Sequence, residues 1–100
     1  MTNAANHPGK ALFPPGQTVS TPGALEALKA EGSNGLEFLS RHVSGDWCDL
    51  YDADRRENEL SVKVGLRIFS AYRLPRTGAK LWIITEADRS VTTFLLPSEY

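Results

Sequence analysis

The six residues Lys80–Thr85, KLWIIT, constrain this chain more than any other stretch. Alternate side chains of a strand point to opposite faces, so Leu81 and Ile83 share one face while Trp82 and Ile84 share the other. Both faces are therefore apolar. An antiparallel sheet with one wet face alternates apolar and polar residues, so this strand predicts a cover on each side.

The flanking sequence supplies its neighbours. After Gly65 the pattern takes a period of two: LRIFSAYRL sets Leu66, Ile68, Ser70, Tyr72 and Leu74 on one face, with Arg67, Phe69, Ala71 and Arg73 on the other. PRTGA has turn chemistry, so KLWIIT returns as the second arm of a hairpin. The charged connection EADRS, Glu86–Ser90, leads into a third strand, Val91–Leu96, which Pro97 ends.

Upstream the pattern is helical. In STPGALEALKAEG, Ser20 or Thr21 caps, Pro22 takes the first helical position, Leu25 and Leu28 share a face, and Gly32 terminates. In SNGLEFLSRHVSG, Ser33 or Asn34 caps, Leu36, Leu39 and Val43 form the stripe, and Gly45 stops the helix. The connector DWCDLY, with Trp47, Leu50 and Tyr51, is apolar enough to fold back on the core. A third helix runs from Asp52 to Val64, with a thin stripe of Ala53, Leu60, Val62 and Val64 and a solvated DADRRENE surface. The expected fold is α+β: three short helices followed by a three-stranded antiparallel β-meander, helices on one face. Residues 1–17, rich in Asn, Pro and Gly, read as a flexible arm, and residues 18–100 as one domain. For the second face of KLWIIT, Leu12-Phe13 of the arm, a second copy of the chain, or a partner would each serve as cover.

Charge is polarised although the net value is −1. Residues 46–60 hold six acidic and two basic side chains, and residues 61–100 hold six basic and three acidic. No global basic field recruits nucleic acid or a membrane surface. No apolar run approaches the ~20 residues of a membrane helix, and MTNAANHPGK lacks the apolar core of a secretory signal, so a cytoplasmic protein is expected. The single cysteine excludes an intrachain disulfide, and Cys48 with only His7 and His42 makes a zinc site improbable. Neither a metal nor any other cofactor is expected. A glycine-rich phosphate loop, a G-x-S-x-G elbow and a metalloprotease helix are absent from the sequence.

Several residues carry chemistry in principle. His42 suits acid–base work near neutral pH, or equally a helix-end cation or half-buried ring. Asp46 and Asp49 match no metal loop and read as capping or solvated groups, and Cys48, with no activating base in view, reads as core filler. Glu86, Asp88 and Arg89 form either a binding loop or a polar turn with a local ion pair. Arg67, Phe69 and Arg73, joined by Lys80 and Trp82, place basic and aromatic groups on one sheet face, a pattern that can hold phosphates and stack bases. Coverage by the arm or another subunit is the simpler reading of that face.

Three segments, TPGALEAL, FLSRHVSGDWCDL and AYRLPRTGAKLWIITEADRSVTTFLLPSEY, together resemble a family of small bacterial proteins associated with plasmids and other mobile elements. The resemblance spans about residues 12–100 and is most distinctive in WIITEADRSVTTFLLP; Cys48 stands where the family has glycine. Some members are labelled as type I restriction methyltransferase subunits. This chain lacks the N-P-P-aromatic loop with which such enzymes hold a flipped base, so that label does not transfer. The resemblance implies an accessory role in mobile-element biology and carries no catalytic residues.

The expected function is that of a non-enzymatic protein docking on another protein or a protein–nucleic acid complex, as an inhibitor or adaptor acting on a host defence system. Its binding set is Arg67, Phe69, Arg73, Lys80, Trp82, Glu86, Asp88 and Arg89. The alternative is a metal-independent ribonuclease of barnase-like type using His42, Glu86, Arg89 and Thr92. A DNA-binding regulator is the weaker third, since no helix is basic enough for recognition.

Overall fold

A computed structural model of the chain describes residues 11–47 and 52–100. His7, Cys48 and Asp49, and the apolar Leu50 and Tyr51 of the connector, lie outside the described residues. The elements in order are β1 (Gln17–Ser20), α1 (Pro22–Glu31), α2 (Leu36–Val43), α3 (Asp52–Val64), β2 (Ile68–Arg73), β3 (Lys80–Thr85), β4 (Val91–Leu95) and a 3-10 turn, Pro97–Glu99. The class is α+β with three helices, as the periodicities require.

The sheet differs from the expected meander. Its order is β1-β4-β3-β2: the antiparallel β2-β3-β4 unit gains a fourth strand, β1, which pairs parallel to β4 in the register Gln17↔Val91 to Ser20↔Phe94. QTVS is too short and too polar to show a strand period by itself. Its pairing becomes visible only because the preceding residues are fastened to the sheet: the N–H of Gln17 donates to the Ser90 carbonyl at 2.9 Å. At Gly16 the backbone passes so near the β3–β4 connection that a Cβ would lie 2.4 Å from the carbonyl oxygens of Arg89 and Ser90, and φ is +66°. Glycine is required there on both counts.

The helix ends follow the sequence closely. Thr21 accepts a hydrogen bond from the N–H of Ala24 at 3.2 Å, and Gly32 closes α1 in the left-handed conformation with φ of 79°. The capping residue of α2 is Gly35 instead of Ser33 or Asn34. Those two side chains still serve the end of the helix, accepting from the N–H groups of Gly35 and Leu36 at 3.0 Å each.

The buried stripes differ more. On α1 the inward residues are Ala24 and Leu28, with Leu25 51% exposed, and on α2 they are Phe38 and His42, with Leu36 exposed. On α3, Leu60 and Val64 are exposed, and over residues 54–64 the buried side chains are the polar Asn58 and Ser61. The reason is that α3 runs beside the free edge of β2. The Asn58 amide donates to the Phe69 carbonyl and accepts from the Phe69 N–H at 3.1 Å, so one side chain satisfies backbone groups that an edge strand leaves open.

The inner sheet face has the expected alternation from Ile68 onward, whereas Leu66, expected on the same face, precedes β2 and is exposed. Ile68, Ser70, Tyr72, Leu74, Leu81, Ile83 and Phe94 are buried against the helices. Phe13 joins this side, packed with Trp47 and Ile68 at 5% exposure. The expectation that Leu12-Phe13 covers the outer face is thus corrected, and the segment from Ala11 onward is part of the packed domain. Glu31 accepts from the N–H groups of Arg76 and Thr77 at 2.8 and 3.0 Å, tying α1 to the hairpin tip. Burial raises the Glu31 carboxyl, but those N–H groups and the Arg76 charge together hold it below its ordinary value.

Two glycine substitutions separate backbone strain from steric clash. Gly78, at φ +78°, has nothing within 4 Å of an added Cβ. Gly78→Ala should cost ~1 kcal/mol for the left-handed backbone alone, and Gly16→Ala ~3 kcal/mol because the β3–β4 connection must also move. Urea unfolding midpoints compare the two; equal losses would disprove the close approach at Gly16.

Candidate functional site: the outer face of the sheet

His42, in the second turn of α2, is completely buried. Its Nδ1 bonds the hydroxyl of Ser70, its Nε2 lies 2.9 Å from Oγ1 of Thr85, and Thr85 lies 2.7 Å from Oγ1 of Thr92. Thr92 donates to the Pro15 carbonyl at 2.6 Å, which fixes the polarity of the whole chain of bonds. A carbonyl only accepts, so the Thr92 proton is spent there and Thr85 must donate to Thr92. His42 then carries its proton on Nε2 and donates to Thr85, leaving Nδ1 to accept from Ser70. Burial, and after it the charge of Arg89, push His42 from 6.5 to about 3. Below the ring, Phe13 stands edge-on at 5.3 Å, and the Trp47 indole donates to the His42 carbonyl at 3.1 Å.

Of the four residues of the ribonuclease alternative, His42 and Thr92 share one buried line of bonds, while Arg89 and Glu86 make other contacts. His42 and Thr92 are buried and bonded to each other through Thr85. The Arg89 guanidinium donates to the carbonyls of Leu66, Ser61, Glu86 and Ala87 at 2.6 to 3.1 Å and lies over the Phe13 ring. Glu86 faces the other way, toward Arg67 at 3.5 Å. Both ring nitrogens of His42 are engaged by Ser70 and Thr85 and the ring is completely buried, so it is out of hydrogen-bond reach of a molecule at the surface.

EADRS resolves into a turn. Asp88 accepts from the Ser90 N–H and hydroxyl at 3.0 and 2.6 Å, and Arg89 takes φ of 62°. The expected Asp–Arg ion pair is not formed; Arg89 clamps the turn to the α3–β2 connection instead. Asp46 likewise has a structural role, with Arg41 at 2.7 Å. Among the described residues no three His, Cys, Asp or Glu side chains gather as a metal site.

The outer face brings together the aromatic residues that strand alternation placed on it. Phe69 and Trp82 meet edge-to-face at 5.0 Å, and Trp82 meets Tyr100 at 5.7 Å. With Arg67 and Ile84 they line an open notch of about 250 Å³. Arg67 donates to the Tyr100 hydroxyl at 3.1 Å and pairs with Glu86, so the polar groups at the lip are organised by one another. Arg73 and Lys80 face each other across β2 and β3 at the far end of the same face, both exposed. Of the eight expected binding residues, Arg67, Phe69 and Trp82 line the notch and Glu86 pairs with Arg67; Arg73 and Lys80 lie farther along the same face, and Asp88 and Arg89 belong to the turn.

Tyr100 is the participant that sequence reasoning missed. It reaches Trp82 because Glu99, one residue earlier, is held at the start of α1 by the Thr21 hydroxyl and the Gly23 N–H at 2.9 Å, and also accepts from the Leu96 N–H at 2.8 Å. Those bonds, the one from Thr21 foremost, hold the Glu99 carboxyl below its ordinary value. A carboxylate at a helix N-terminus is favoured by the helix dipole. The C-terminal turn is thus the partial lid of KLWIIT: Ile84 and Leu95 are only 6% exposed, while the Tyr100 ring is 74% exposed.

Comparison with known protein families, with curated proteins and with solved structures returns no match for this chain. The resemblance described above stands on its sequence segments alone. No helix among the described residues is long and apolar enough to cross a membrane.

The buried histidine yields a pH test. The unfolded ring gains its proton near 6.5 and the folded ring only near 3, so its contribution is intact above 6.5 and is lost progressively as pH falls through that window. The slope approaches about 1.4 kcal/mol per pH unit for one proton. In urea unfolding between about pH 7 and about pH 5, above the main carboxylate range, His42→Gln should be less stable throughout yet lack this slope. A variant as pH-sensitive as the wild type would show that the ring titrates in the fold.

Proposed function

We propose that this protein is a non-catalytic binding domain that engages a macromolecular partner through the outer sheet face centred on Trp82. The observation that carries the reading is the division of labour between the two faces. The inner face absorbs His42 and Thr92 into a buried hydrogen-bonded core, and Glu86 is paired with Arg67 on the other side of the sheet. The outer face presents half-exposed aromatic rings around a notch, with an organised polar lip. Aromatic and arginine side chains in such a setting are the residue types that dominate binding energy at protein interfaces. The mobile-element resemblance adds the finer proposal: an accessory protein acting as inhibitor or adaptor on a host defence system.

The test compares wild type with Trp82→Ala. Partial exposure of Trp82 lets the variant keep its fold, checked by circular dichroism. In affinity capture from the native host, proteins retained by wild type should be lost by the variant, with about a tenfold or greater loss of affinity for a confirmed partner. Identical retained sets would reject the outer face as the interface. RNA incubated with the protein should stay intact; cleavage abolished by His42→Gln would favour the ribonuclease instead.

A further inference from the structure

Arg73 and Lys80 are direct cross-strand partners on the outer face, and both are exposed. Like charges placed opposite one another destabilise a sheet. The segment Arg73–Lys80, RLPRTGAK, holds three basic residues and no acidic one. At this end of the face the ion pairs described among the residues, Arg41–Asp46 and Arg67–Glu86, supply no counter-charge, since both lie elsewhere. The Glu31 carboxylate at the hairpin tip is directed at the backbone N–H groups of Arg76 and Thr77. The face is therefore polarised: an unneutralised cationic pair at the tip of the hairpin, and an apolar notch near the other end, where Arg67 is already matched by Glu86.

The notch is the wrong shape for a nucleobase platform. Phe69, Trp82 and Tyr100 meet at interplanar angles of 88° and 69°, so each contact covers one ring's face with another ring's edge. Stacking successive bases requires open ring faces and a basic groove that follows the phosphates. At about 250 Å³ the notch is also smaller than most small-molecule sites, and it fits a single apolar side chain. From Lys80 to Ile84, or from Arg73 to Phe69, is four residues of strand, about 13 Å. An extended peptide covers that distance in about four residues of its own.

Resting on the binding-domain reading, we infer that the partner is a protein segment bound in extended form, with acidic side chains on Arg73 and Lys80 and an aromatic or aliphatic anchor in the Phe69–Trp82–Tyr100 notch. The acidic residues and the anchor are separated by about four positions.

The experiment is selection from a random peptide library displayed on phage, followed by binding of the selected synthetic peptides to wild type, R73E/K80E and Trp82→Ala. Tyr100→Ala is added because its exposed ring can be removed even if Trp82→Ala proves unstable. Selected peptides should share Asp or Glu about four residues from an apolar anchor, and should bind about tenfold or more weakly to the charge-reversed and notch variants. Peptides that need the notch but ignore R73E/K80E would overturn the acidic partner and leave the binding face standing. Peptides indifferent to Trp82→Ala and Tyr100→Ala would overturn the face itself. Salt-sensitive binding of oligouridylate in place of peptides would assign the face to nucleic acid, and notch-dependent self-association in sedimentation would assign it to a second copy; either rejects the inference.

Discussion

The structure depends on a chain of hydrogen bonds through an imidazole. Ser70, His42, Thr85, Thr92 and the carbonyl of Pro15 link β2, α2, β3, β4 and the segment before β1 in one buried line. An apolar core would be satisfied by several packings, since hydrophobic contact is not directional. A buried polar chain is satisfied by one, because each unmade bond leaves a desolvated donor or acceptor behind. Once His42 is committed, α2 is fixed in rotation on the sheet and the Pro15 backbone is drawn to β4. That places β1 in its parallel register and sets Phe13 beneath the ring.

The same device recurs at the margins of the sheet. Asn58 closes part of the β2 edge, Glu31 holds the hairpin tip, Arg89 draws the β3–β4 turn onto the end of α3, and Glu99 pins the C-terminal turn to α1. In each case a side chain bonds backbone groups, so connections that local propensity leaves undetermined become ordered. With Arg89 and His42 committed to such structural bonds, neither lines the notch of the outer face, where Tyr100 arrives only because Glu99 is anchored.

The legibility of the molecule divides along physical lines. The alternation in LRIFSAYRL and KLWIIT, the Thr21 cap and the Gly32 stop were readable because period and capping are local properties. The stripes of α2 and α3 were not. His42, Asn58 and Ser61 are polar residues facing inward, and their partners, such as Ser70 and Phe69, come from strands later in the chain. Hydrophobicity alone points such positions outward and turns Leu36, Leu60 and Val64 inward, the reverse of what the packing adopts. Arg67, Phe69 and Trp82 of the candidate site followed from strand alternation, and Glu86 from the charged connection EADRS; Tyr100 did not follow from either.

What the sequence by itself determined is the order and type of the main elements and the doubly apolar character of β3, since both arise from residues a few positions apart. Only the tertiary structure decided what lies on each side of that strand. Contacts such as Thr92 to Pro15 and Thr21 to Glu99 span 77 and 78 positions. They sent Phe13 to the inner face, brought the C-terminal turn over part of the outer one, and left the Trp82 notch open. A pattern of neighbouring residues states that an apolar surface needs a cover; which distant segment provides it depends on backbone groups that meet only when the chain has closed on itself.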